Sequence, residues 1–228
     1  MDAISQDYSQ GISQTYLLRG ITGSGKTEVY MALIERMIAG GKQAIVLIPE
    51  IALTYQTLLR FYLRFGDRVS VMNSRLSPGE RSDQYERAAK GEIDIMIGPR
   101  SALFTPFERL GLVIIDEEHE SSYKSETMPK FHAREVAQEL CRMKHASLLL
   151  GSATPSLESY YRARQGEIPL FTLNSRLTGG ELPRVYVEDL REELKSGNRS
   201  IFSRRQRAKE SNCLFMKKPP FCSFLLYI

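Results

Sequence analysis

Cysteine is scarce: Cys141, Cys213 and Cys222 are the only three in 228 residues. They form no C-x-x-C pair and leave an odd count, which excludes a disulfide framework and a zinc site of four cysteines. A reducing, cytoplasmic setting fits that usage. Long apolar runs are missing too. None approaches the roughly 18 to 20 residues a membrane-spanning helix needs, and the polar first twenty residues lack the basic start and apolar stretch of a secretory leader. Neither export nor membrane insertion is signalled, so no membrane partner is expected. Nor is charge one-sided: Lys and Arg outnumber Asp and Glu by 31 to 27, a formal +4. That balance is compatible with a nucleic-acid partner but too mild to argue for one. No internal repeat or low-complexity tract is visible.

What is present is an alternating pattern. With 42% hydrophobic and 25% charged residues, the chain can bury one sizeable core, and one domain with a tail is the expectation. Short, near-continuous apolar runs at 15–19, 44–48, 68–72, 93–97, 112–116 and 147–151 read as buried parallel strands. Between the first two, Val29, Leu33 and Met37 run beside Tyr30, Ile34 and Ile38 as an apolar helical stripe, stopped by Gly40 and Gly41. Helical spacing also fits 52–65, 78–90, 132–144 and 156–165. The fold class is therefore α/β, a mostly parallel sheet with helices on both faces.

Two motifs carry chemistry. Residues 20–27, GITGSGKT, match the eight-position G-x-x-x-x-G-K-S/T phosphate loop, between an apolar strand and an amphipathic helix. There Gly20, Gly23, Ser24 and Gly25 let backbone amides converge on phosphate oxygens, Lys26 adds a point charge, and Thr27 offers a hydroxyl to magnesium. The second motif is LVIIDEEHE. A strand delivers Asp116, suited to holding magnesium, and Glu117, suited to orienting or deprotonating the attacking water. Glu118 and Glu120 read as a solvated acidic turn, and His119 as either a coupling residue or a solvated loop histidine. No N/T-K-x-D base-reading motif of a GTPase is found. LTGGE at 177–181, similar to a transporter signature, follows Asp116 where that signature should precede its acidic strand.

Asp116 to His119 form a DExH box, and with GSATPS at 151–156 the chain resembles the first RecA-like motor lobe of a superfamily 2 helicase, a P-loop NTPase fold. Taken with LIPEIALTYQ (47–56), GPRSALF (98–104) and DEEHESSYK (116–124), the resemblance narrows to the PriA-type replication-restart helicases and covers about residues 16–203. It implies an ATP-dependent 3′ to 5′ DNA helicase acting in primosome assembly. ATP and magnesium would be its cofactors, and single-stranded or forked DNA and primosome and replication-restart proteins its partners. On matching positions it implies backbone contacts to DNA from Thr54, Arg100 and Ser101. It also implies a coupling loop in which Tyr123 and Phe131 stack on bases and Lys124 and Lys130 meet phosphates. Ser152 and Thr154, with His119, fall on the segment that joins nucleotide state to the DNA path. Simpler roles stay open: a helix cap for Thr54, a surface arginine at 100, an N-cap at Ser101, and a cap before Pro155 for Thr154.

The departures from that family bear on activity. Its region that binds DNA ends, its zinc-binding cysteine pairs and its second lobe with an arginine finger are not matched, so zinc is not expected. The organisation expected is a flank at 1–14, the ATP-binding lobe at 15–170, the start of a linker toward a second lobe at 171–205, and an atypical tail at 206–228, truncated or out of frame. Within the linker, RVYVEDL reads as one further strand. A fragment of this kind is expected not to unwind DNA by itself. The rival reading is a P-loop nucleotide-binding module or NTPase that ignores nucleic acid.

Overall fold

The computed structural model describes residues 10–177 together with Ile4, Gln6, Asp7 and Lys195. The chain divides into two units, Met1–Gly179 and Gly180–Ile228, and the architecture below belongs to the first. The expected strand at 184–190 and the tail lie outside the described residues.

Strands β1 (Thr15–Gly20), β2 (Gln43–Leu47), β3 (Val69–Val71), β4 (Ile95–Gly98), β5 (Leu110–Asp116), β6 (Ser147–Ser152) and β7 (Leu170–Leu173) form one sheet in the order β3-β4-β2-β5-β6-β1-β7. Every pairing is parallel. Successive side chains on a strand point to opposite faces, and the core divides accordingly. Tyr16, Leu18, Ala44, Val46, Leu112, Ile114 and Leu149 pack on one face with Tyr30, Leu33, Ile34, Met37 and Phe61. Leu17, Ile45, Leu47, Val113, Ile115, Leu148 and Leu150 pack on the other with Ala88, Ala133, Ala137 and Cys141. Helices α1 (Lys26–Ala39) and α2 (Tyr55–Phe65) thus cover the first face, and α3 (Pro78–Ala89) and α4 (Ala133–Lys144) the second. Each fully buried aliphatic side chain contributes about 1.5–3 kcal/mol, which is why both faces of the strands read as apolar.

Local signals set the helix ends. Ser77 and Glu80 form a reciprocal capping box with Pro78 in the first turn of α3. Thr54 caps α2 by accepting from the Thr57 N–H. Helix α5 (Leu157–Arg164) starts after Ser156, whose hydroxyl accepts from the Ser159 N–H. β7, an edge strand beside β1, was not among the expected strands and carries the sheet to Leu173, past the expected limit at residue 170. The flank also joins the lobe: Ile4 is buried in the first core, and the Asp7 carboxylate accepts from the Tyr16 hydroxyl at 2.9 Å.

Candidate active site

Because all strands run parallel, the segments after β1, β2, β4, β5 and β6 emerge at one edge, where open α/β sheets bind ligands. The segments after β1 and β5 flank the end of β6, since β6 lies between those two strands.

The phosphate loop follows β1. Gly23 and Gly25 have φ of 80° and 90°, left-handed values that suit glycine. A Cβ on Gly20 would come 2.5 Å from Ser24 Oγ, so a side chain there would force Ser24 to shift. Gly25 precedes α1 without a side-chain cap. Ser24 Oγ is buried with no hydrogen-bond partner, an orphan of the kind that a bound phosphate would satisfy. Lys26 is buried. Its Nζ donates to the Gly20 carbonyl at 2.9 Å and lies 3.5 Å from Glu117 Oε1. Thr27 is half-buried in the first turn of α1. These residues fit a triphosphate, and Thr27 and Asp116 are the residues that would hold its magnesium.

Asp116 ends β5 and is held from two sides. Tyr30, buried on α1, donates to its Oδ1 at 2.8 Å, and Tyr123 donates to its carbonyl at 2.7 Å. Burial pushes the Asp116 carboxyl above its usual range, with the Tyr30 hydrogen bond pulling back. The Tyr30 hydroxyl is itself pushed well up, by burial first and then by Asp116. Gly151 on β6 makes this possible, because any side chain there would collide with the Tyr30 hydroxyl. Glu117 has φ of 47°, a left-handed backbone that costs a non-glycine residue of order 1–3 kcal/mol and persists where neighbours over-determine it. His119 Nδ1 lies 3.7 Å from Glu117 Oε2 and 2.8 Å from Ser152 Oγ, while its Nε2 is 3.5 Å from Thr154 Oγ1. Ser152 Oγ also accepts from the Thr154 N–H at 3.0 Å. The structure thus brings Lys26, Asp116, Glu117, His119, Ser152 and Thr154 together.

Glu118 departs from the reading as a solvated turn. Its side chain is fully buried and pairs with Arg134 Nη1 at 3.0 Å. The partners responsible, Arg134, Ser156 and Ser159, are distant in sequence, so nothing local marks the position. Tyr30 was legible only as part of an apolar stripe, which hides its hydroxyl.

The segments expected to meet DNA are placed differently. Thr54 is exposed and occupied as the α2 cap. Arg100 Nη1 donates to the carbonyls of Ser122 at 3.2 Å and Lys124 at 2.7 Å. Ser101 is half-buried in a 3-10 turn, its carbonyl accepting from Tyr85. Tyr123 is 1% exposed, which removes it from stacking on a base in this conformation. Phe131 is half-buried with its ring edge-on to Phe104, centroids 5.5 Å apart. Lys124 and Lys130 are exposed.

The replication restart protein PriA of Bacillus subtilis (strain 168) is 48% identical over 221 residues, spanning 93% of this chain and 28% of that protein. PriA of Synechocystis is 47% identical over 200 residues, 86% of this chain and 24% of that protein. The chain therefore spans about a quarter of the length of these curated relatives. Among solved structures, RecG bound to a three-way DNA junction superposes with a TM-score of 0.54 at 25% identity, covering 80% of this chain and 23% of that one. The Hef helicase domain of Pyrococcus furiosus shares the fold, with a TM-score of 0.53 at 18% identity over 76% of this chain and 37% of that one. A family model described as DEAD/DEAH box helicase matches residues 3–163, a span that holds the phosphate loop, the acidic strand end and the Ser152–Thr154 turn, and the chain belongs to that family.

Proposed function

We propose that this lobe binds ATP with magnesium at residues 20–27, and that it is the first motor lobe of a 3′ to 5′ DNA helicase of the replication-restart kind. It would turn hydrolysis into movement on single-stranded or forked DNA during primosome assembly, in the cytoplasm and with other restart proteins. The single observation that carries the reading is the unsatisfied, buried Ser24 hydroxyl in a loop whose lysine already leans toward Glu117. A phosphate would give that hydroxyl an acceptor and Lys26 a stronger partner than a backbone carbonyl. Magnesium would be held by Thr27 and Asp116 and would neutralise charge developing on the phosphates. Glu117 would orient the attacking water, and His119, Ser152 and Thr154 would relay the state of the site to the DNA side. Similarity to PriA relatives, and to RecG in complex with a DNA junction, supports DNA as the track.

In such motors ATP lies between two lobes, and a cationic finger from the opposing wall is worth about 10³- to 10⁵-fold in rate. The residues here form one wall, so turnover by the 228-residue chain alone should be slow, and it should not unwind DNA. Measuring ATP hydrolysis with and without single-stranded DNA tests the reading. Magnesium-dependent turnover that rises with DNA is expected. Turnover indifferent to every nucleic acid would reassign the chain to P-loop NTPases that ignore DNA.

A further inference from the structure

Glu118 spends both of its oxygens on distant parts of the chain. Oε1 accepts from the Ser156 N–H at 2.6 Å. Oε2 accepts from Arg134 Nη1 at 3.0 Å, Ser156 Oγ at 3.2 Å and Ser159 Oγ at 3.1 Å. Its backbone N–H donates to the Gly151 carbonyl at 3.1 Å. Arg134 Nη1 also reaches Ser156 Oγ at 2.8 Å and Ser159 Oγ at 3.0 Å. One buried carboxylate thus joins the end of β5, the first turn of α4 and the start of α5. Burying a carboxylate is costly unless it is paired and fully hydrogen-bonded, and an apolar side chain would fill the space more cheaply. The arrangement is better explained by what it holds in place.

It holds two things. Glu117 sits between residues that are both fixed: Asp116 by Tyr30 and Tyr123, Glu118 by this cluster. With both neighbours held, the left-handed backbone of Glu117 has no route to relax, and its carboxylate stays near Lys26 and His119. The pair of Glu118 and Arg134 also closes the base of residues 120–132, the segment whose interior is tied by Arg100 to its carbonyls and by Tyr123 to Asp116.

We propose that Glu118, clamped by Arg134, Ser156 and Ser159, is a positioning residue that holds Glu117 in its hydrolytic conformation and links it mechanically to the 120–132 segment. The inference rests on the reading of Lys26 and Glu117 as part of an ATP site. Glu118→Gln keeps the side chain's size but turns Oε2 into a donor facing Arg134 and two hydroxyls.

The test follows amide hydrogen exchange of residues 120–132 in the 228-residue chain, with and without a non-hydrolysable ATP analogue, beside single-turnover hydrolysis per bound ATP. In the unmodified protein the analogue should slow exchange across 120–132. Glu118→Gln should bind the analogue with the same stoichiometry and affinity, lose that protection, and turn over about 10²-fold more slowly, the penalty typical of an ångström-scale misplacement. Arg134→Ala should behave like it, and Arg134→Lys, which restores the cation, should recover the protection. A role confined to folding would instead lower analogue stoichiometry and leave hydrolysis per bound ATP unchanged. If Glu118→Gln does not fold, Ser159→Ala removes one donor only and should lose part of the protection. Protection and turnover at the unmodified level in whichever of these two variants folds, or no analogue-dependent protection in the unmodified protein, overturns the proposal. Failure of the unmodified protein to bind the analogue at all refutes the ATP-site reading instead.

Discussion

Along the carboxyl edge of the sheet, the segment after β1 leaves the Ser24 hydroxyl without a hydrogen-bond partner, whereas the segments after β2 and β4 close theirs on the protein itself. In the phosphate loop Ser24 Oγ is buried without a partner and the start of α1 has no side-chain cap. Beyond β2, Thr54 is consumed as a helix cap, and beyond β4, Arg100 is consumed by two loop carbonyls. A site built for a small ligand of fixed shape is preorganised. A surface that tracks a flexible polymer has no such shape to preorganise around, so its residues rest on internal partners until the polymer draws them out or leaves them as scaffolding. The loop at 120–132 belongs to both regions, since Tyr123 anchors on Asp116 while Lys124 and Lys130 stay exposed.

Breaking the nucleotide side should have the largest effects. Glu117→Gln removes the water-orienting carboxylate and should lower turnover by about 10²- to 10⁴-fold, the range for losing a general base, with ATP affinity retained; single-turnover kinetics checks it. Gly151→Ala is next. A methyl group there is driven against the Tyr30 hydroxyl, and such overpacking costs about 1–3 kcal/mol, read as a lower urea midpoint at unchanged slope. Tyr30→Phe is gentler. Burial already raises the Asp116 carboxyl and the Tyr30 hydrogen bond lowers it, so without the donor the group protonates at higher pH. Because magnesium needs the carboxylate, the acid limb of the ATPase profile should move to higher pH. The smallest effect belongs to the other region. Since Arg100 is spent on the carbonyls of Ser122 and Lys124, Arg100→Ala should leave the salt slope of single-strand binding unchanged. A slope reduced by about 0.7, one released counterion, would show that Arg100 turns out to meet a phosphate.

Burial and local spacing decide which of these features show in the sequence. The sheet was legible because parallel strands buried on both faces are apolar at nearly every position, as at residues 112–115 and 147–150. β7 was missed because Leu170–Leu173 is a short edge strand, only half-buried. The phosphate loop was readable as a pattern because its glycines, lysine and threonine stand at fixed spacing, and the family resemblance put His119 in one group with Ser152 and Thr154, which lie beside it in the fold. Glu118 was misread because an acidic run after a strand looks solvated until Arg134, Ser156 and Ser159 are brought to it by the fold. Tyr123 stands apart for a related reason: an aromatic in a polar loop looks available, yet in this conformation its ring is buried and its hydroxyl committed.

Residues 20–27 are expected to cradle the phosphates of ATP, with Lys26 at their centre. The most direct test is a titration of a fluorescent ATP analogue, with magnesium, into the unmodified chain and into Lys26→Ala. Losing one charge-assisted contact, worth about 1.5–3 kcal/mol, should weaken binding roughly ten- to hundredfold. Superimposable curves for the two proteins would contradict the account.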